Sequence, residues 1–194
     1  MVDFQSRNTR RDEETDDGGD DDADEAETDD HHHDHDADTV GAAVLTVSSS
    51  RSLDDDPGGD AIAAAFEDAG HSVVTRELVA DGYDNVQGSV DNLVGRGDVN
   101  VVVTTGGTGV TPDDVTVEAV RPLFDKDLPG FGELFRRLSY DEVGTKVVGT
   151  RATAGVADGT PVFCLPGSEN AARLGSEDVI VPEIEHLVGL ASRE

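Results

Sequence analysis

From Thr39 onward, short β-branched apolar runs alternate with stretches whose apolar residues recur at helical spacing. Val40 to Val47 reads as a buried strand. The clusters Ser48-Ser49-Ser50-Arg51 and Asp54-Asp55-Asp56-Pro57-Gly58-Gly59 read as the loop after it. Ile62 to Ala69 has the pattern of a short amphipathic helix stopped by Gly70. Val73 to Val79 is a second strand, with Asp81 just past its carboxyl end, and Val86, Val90, Leu93 and Val94 mark a second helix. Val99 to Thr104 is a third strand, and Thr111 opens the next helix. A Gly/Pro-rich connection, Leu128-Pro129-Gly130-Phe131-Gly132, leads into a helix through Leu138. Val162 to Leu165 is a further strand, ended by Pro166-Gly167-Ser168 and followed by helical sequence.

Strands alternating with helices predict an α/β fold with a mostly parallel sheet covered on both faces. In such sheets ligands bind beyond the carboxyl ends of the strands. Asp56, Asp81, the Thr104–Gly109 turn, Asp114 and the Pro166–Ser168 turn all fall in loops of that kind, so topology gathers them into one candidate site.

The turn Thr104-Thr105-Gly106-Gly107-Thr108-Gly109 is the strongest chemical signal. Glycines let successive backbone N–H groups point at one spot, and a following helix adds its positive end, which together make an anion cradle. No Gly-Lys-Ser/Thr follows, so this is not a Walker loop, and the spacing is not that of the dinucleotide fingerprint. In Thr111-Pro112-Asp113-Asp114, Thr111 fits an N-cap, Pro112 the first helical position and Asp114 a capping-box acid. That capping role and a catalytic role are compatible, because an acid beside a phosphate cradle is also placed to hold Mg²⁺. Glu133 sits at the first turn of a helix behind a loop, where the helix dipole alone favours an acid. Ser168 reads equally as an N-cap and as a ligand residue. Arg136 and Arg151 are candidate phosphate partners. His71 and His186 are the only histidines after residue 38, and Cys164 is the only cysteine, which leaves zinc-type or Cys/His nucleophilic chemistry without support.

Composition narrows the setting. The chain holds 43 Asp+Glu against 14 Lys+Arg, a net charge of −29. Residues 1–38 form an acidic tail with almost no large apolar side chains, which predicts disorder. Its His31-His32-His33-Asp34-His35 cluster is a weak metal-binding hint in a low-complexity segment. With 17 acids and three arginines there, −15 of the charge remains on residues 39–194, the predicted globular domain. Such a body does not suit nonspecific nucleic-acid binding or an anionic membrane surface. Scarce lysine and abundant carboxylates suggest salt adaptation. A lone cysteine and the lack of an apolar span or signal peptide point to a cytoplasmic protein.

Four ordered segments then carry a resemblance over roughly residues 39 to 190: Thr104–Gly109; Asp114-Val115-Thr116-Val117-Glu118-Ala119; Leu128-Pro129-Gly130-Phe131-Gly132-Glu133; and Cys164-Leu165-Pro166-Gly167-Ser168 with Asn170-Ala171. The chain resembles the MoaB/MogA family of molybdenum cofactor biosynthesis, the molybdopterin adenylyltransferases. The resemblance implies a three-layer α/β/α sandwich, a homotrimer or homohexamer, and exchange with other proteins of that pathway. It implies Mg²⁺-dependent transfer of AMP from ATP to the terminal phosphate of molybdopterin. Asp81 and Asp114 match the family's functional aspartates and would hold the metal, and Glu133 matches its loop acid. Thr104, Thr105, Gly106, Gly107, Thr108 and Gly109 match the phosphate and pterin cradle, and Pro166, Gly167 and Ser168 a second ligand loop. Two departures stand out: Asp113 replaces an expected Arg, and Glu169 stands where Pro is common. The Thr111–Asp114 run is similar also to the CinA-type domain, a nucleotide pyrophosphatase. The alternatives are therefore a CinA-like hydrolase and a molybdopterin-binding scaffold paralogue with little or no turnover.

Overall fold

Three strands with every residue buried, β1 (Gly41–Val47), β3 (Val101–Thr105) and β6 (Thr160–Leu165), form the centre of the molecule in a computed structural model that describes residues 39–193. Continuous apolar burial of this kind is what a parallel sheet covered on both faces requires. The acidic stretch 1–38, with its histidine cluster, lies outside the described residues. The six-stranded sheet has the order β2-β1-β3-β6-β5-β4, with β2 being Ser72–Val79, β4 Lys126–Asp127 and β5 Thr153–Ala157. Strands β2, β1, β3 and β6 run parallel, while β5 and β4 add an antiparallel edge.

Alternation along the strands feeds two cores. On one face Val44, Val101, Val103, Phe163 and Leu165 pack beneath α1 (Pro57–Asp68), α4 (Pro129–Val143), α5 (Glu169–Gly175) and α6 (Ile184–Ala191), which supply Phe66, Phe135, Ala172 and Ile184. On the other, Leu45, Val102, Val162 and Cys164 meet Val86, Val90 and Leu93 of α2 (Tyr83–Val94) and Ala119 and Val120 of α3 (Thr116–Val120). The three layers predicted from the sequence are therefore present. Cys164 is fully buried in the second core, and that burial pushes its thiol up to about 12.

Several boundaries differ from the sequence pattern. Helix α1 starts at Pro57, not Ile62: the buried Asp56 carboxylate accepts the Gly59 N–H at 3.1 Å and turns an apparent loop into a first helical turn. Strand β3 runs from Val101 through Thr105, because Val99 is held in a turn to the Arg96 carbonyl. The helix expected from Thr111 begins only at Thr116. Helix α4 absorbs the Gly/Pro-rich connection from Pro129 and extends to Val143, whose end is followed by a 3-10 segment, Gly144–Gly149. Strands β4 and β5 were absent from the sequence pattern. Thr153–Ala157 is small and glycine-bearing, and β5 exists because Asp158 (φ 46°) and Gly159 (φ 74°) turn it back onto β6. After Ser176 the helical stretch breaks into a π turn and a 3-10 turn at Pro182 before α6 resumes.

Candidate functional site

The carboxyl ends of β1, β3 and β6 open onto a cleft of about 1020 Å³. Its floor is the glycine turn after β3. Gly106 (φ 101°) and Gly107 (φ 66°) both occupy the left-handed region, and a Cβ would overlap the Val47 carbonyl at the first and the Thr116 hydroxyl at the second. Thr116 fixes the turn from below: its hydroxyl donates to the Gly106 carbonyl at 2.8 Å, and its N–H to the Gly107 carbonyl at 3.0 Å. The Pro166–Ser168 loop is stitched to this turn. The Gly106 N–H donates to the Leu165 carbonyl at 3.0 Å, and the Thr105 hydroxyl to the Pro166 carbonyl at 3.0 Å. Ser168 caps α5 by accepting the Ala171 N–H at 3.3 Å and also lines the cleft.

Asp114 belongs to the same cleft, but not as a capping-box acid. Its Oδ2 accepts from the Thr111 N–H at 2.8 Å and the Thr111 hydroxyl at 2.7 Å, closing a tight turn that precedes α3. Partial desolvation pushes the Asp114 carboxyl up, yet these bonds, the Gly109 N–H and the Arg151 charge outweigh it and hold it below its usual value. Arg151 is the clasp of this region and not a free phosphate partner. It donates to the carbonyls of Gly109 (2.7 Å) and Asp114 (2.8 Å) and pairs with Glu118, whose carboxyl that hydrogen bond lowers.

The structure brings Thr105, Gly106, Gly107, Thr108, Gly109, Asp114, Pro166, Gly167 and Ser168 together around the cleft. Six sequence candidates do not line it: Thr104, Asp81, Glu133, Arg136, the clasp Arg151, and Asp56, which is buried as the cap of α1. Thr104 is fully buried and points into the α2/α3 core opposite Cys164, because alternate residues of a strand face opposite ways. Asp81 is not among the cleft-lining residues. It ties the loop after β2 to the loop after β1, accepting the Ser49 N–H at 2.8 Å while its own N–H donates to Ser49 Oγ at 3.1 Å. Glu133 lies on α4 in a separate pocket of about 230 Å³, beside Arg121, Asp127 and Arg136. Arg136 there donates to the Ala152 carbonyl at 3.2 Å, so it too is absent from the cleft.

Other cleft residues had no motif to announce them. Arg51 reaches the cleft from the loop after β1, and Lys146 and Glu142 reach it from the end of α4 and the 3-10 segment. Thr150 Oγ1, also on the cleft, is buried without a hydrogen-bond partner. Among the described residues no group of three or more His, Cys, Asp or Glu is placed to hold a metal on its own.

A mostly parallel sheet whose strand ends enclose a glycine-floored cleft with cations on its walls defines an α/β domain with a cleft suited to an anionic organic ligand. The profile of the family described as "Probable molybdopterin binding domain" matches residues 43–186. Molybdenum cofactor biosynthesis protein B of Bacillus subtilis is 45% identical over 154 residues, 78% of this chain and 89% of that protein. Its namesake from Escherichia coli K12 is 42% identical over 143 residues, 74% of this chain and 84% of that protein. The crystal structure of the tungsten cofactor synthesizing protein MoaB from Pyrococcus furiosus matches with a TM-score of 0.73 at 38% identity, covering 81% of this chain and 99% of that one. The chain belongs to the MoaB/MogA family of molybdopterin-binding domains.

Proposed function

We propose that this protein acts in molybdenum cofactor biosynthesis by binding molybdopterin in the cleft and adenylylating it with ATP and Mg²⁺. The observation that carries this reading is the paired-loop floor. Two ligand loops, Thr105–Gly109 and Pro166–Ser168, are hydrogen-bonded to each other beside Asp114 in a cleft large enough for more than a small anion. In the reaction a terminal phosphate oxygen of molybdopterin attacks the α-phosphorus of ATP. A P–O bond forms, the bond to the β-phosphate bridge breaks, and pyrophosphate departs with the electron pair. Such a step asks for positioning and charge stabilisation more than for proton transfer.

With the Gly106 and Gly109 N–H groups bonded to Leu165 and Asp114, the N–H groups of Gly107 and Thr108 are the turn's donors for phosphate oxygens, and the clasp of Arg151 braces the turn. Asp114, held anionic, is the carboxylate of the cleft suited to Mg²⁺ arriving with a nucleotide, since this ion favours one or two carboxylates plus phosphate oxygens. Asp81 supports the site from the neighbouring loop through Ser49. When bound, the ion would neutralise charge on the phosphates. Glu133 lies outside this cleft, and no role in the step is assigned to it.

The binding-scaffold reading rests instead on Asp113 and Glu169, the two departures from the family's pattern. Pyrophosphate release from ATP and Mg²⁺, measured with and without molybdopterin, separates the two. Molybdopterin-dependent release is expected. Tight molybdopterin binding without release establishes the scaffold, and release of AMP without molybdopterin establishes a CinA-like hydrolase.

A further inference from the structure

In a body this acidic, most cations are already committed. Among the described residues Arg76, Arg96, Arg121, Arg151 and Arg173 pair with carboxylates, and Arg136 is bound to a carbonyl. The two exceptions that line the cleft are Arg51 and Lys146. Arg51 is one-third exposed, and its guanidinium has a single ionic neighbour, Asp56 Oδ1, at 3.8 Å. That distance aims the side chain without consuming its donors. Asp56 is itself fully buried and immobilised: it accepts from the Thr46 hydroxyl at 2.6 Å, the Gly59 N–H at 3.1 Å and Arg76 at 3.3 Å. Lys146 is exposed, has no hydrogen-bond or ion-pair partner among the described residues, and comes from a different segment of the chain.

We propose that Arg51 and Lys146 are the cleft's anion-recognition side chains, and that they address two separate phosphoryl groups. The assignment deepens the reading of the cleft as a ligand site. Arg51, backed by a buried carboxylate, is the fixed fork. Lys146, on a short segment ending at glycines, is the adjustable point charge. Neighbouring Asp114 and Glu142 repel anions, so without these two cations the glycine turn would meet its ligand in an unfavourable field.

The test is equilibrium binding of inorganic pyrophosphate at several salt concentrations to wild type, Arg51→Gln, Arg51→Lys and Lys146→Gln. Each glutamine variant is expected to weaken binding about tenfold and to flatten the salt dependence. Arg51→Lys should recover part of the loss, because charge returns without the fork. Lys146→Gln should leave thermal unfolding unchanged, and Arg51→Gln loses only the 3.8 Å contact to Asp56, which Arg76 still faces. Wild-type affinity and salt dependence in both glutamine variants would overturn the assignment, and so would a wild type that fails to bind pyrophosphate. Pyrophosphate binding needs no adenylyl transfer. A protein that binds it through Arg51 and Lys146 yet never turns over therefore keeps this assignment and loses only the enzymatic one.

Discussion

Asp114 serves the structure of its turn and, in the proposed reaction, the chemistry as well. Its carboxylate closes the Thr111 turn, and the same bonds keep it ionised. Asn retains an acceptor oxygen for the turn but loses the charge. Asp114→Asn should therefore leave the melting temperature within a few degrees while AMP transfer falls by roughly 100-fold, the scale of losing one preorganised electrostatic group. Wild-type turnover would reduce Asp114 to a turn residue. The pH dependence has a definite sign. The folded carboxyl lies below its usual 3.8, so its contribution to stability is complete above that value and lost as pH falls through the folded value. In Asp114→Asn the acid unfolding limb should become shallower, and acid titration followed by circular dichroism would show it.

At the scale of elements, the glycine turn, α3 and the segment entering β5 are held as a unit by Arg151, which spans Gly109, Asp114 and Glu118. Arg151→Met keeps the aliphatic stem and removes those bonds. It should cost about 2 kcal/mol and about 4–8 °C of melting temperature, and weaken pyrophosphate binding although Arg151 does not line the cleft. An unchanged melting curve would mean the turn holds itself. The sequence announced the turn because glycine carries its backbone demand in its identity, and announced the Pro166–Ser168 loop for similar reasons. It did not announce Arg51, Lys146 or the clasp role of Arg151. Those roles depend on which loops meet across the sheet, and a charged residue looks the same alone or paired. The β5–β6 hairpin was a different failure: Asp158-Gly159 is a strong turn signal, but Thr153–Ala157 is too small and glycine-rich to read as a strand. Likewise Asp56, gathered into the candidate site by topology, does not line the cleft, because its burial makes it the start of α1.

For the whole molecule, charge is the governing quantity. Residues 39–194 carry a net −15, and no helix of the described part is long and apolar enough to cross a membrane. Between about 0.1 and 1 M salt the screening length falls from roughly 10 to 3 Å, so surface carboxylates cease to repel one another. The melting temperature should rise over that range, and a flat or falling response would remove the case for salt adaptation. The homotrimer or homohexamer expected of the family is open to sedimentation at the same salts. The molecule also carries its own counter for such experiments. Cys164, the one sulfhydryl, lies on a central strand with its thiol raised to about 12, so alkylating reagents find neither access nor thiolate while the sheet is closed. Every labelled molecule is then one whose innermost strand has opened. The labelling rate read against salt, ligand or mutation becomes a clock for the rarest excursions of the fold, with no probe to be engineered.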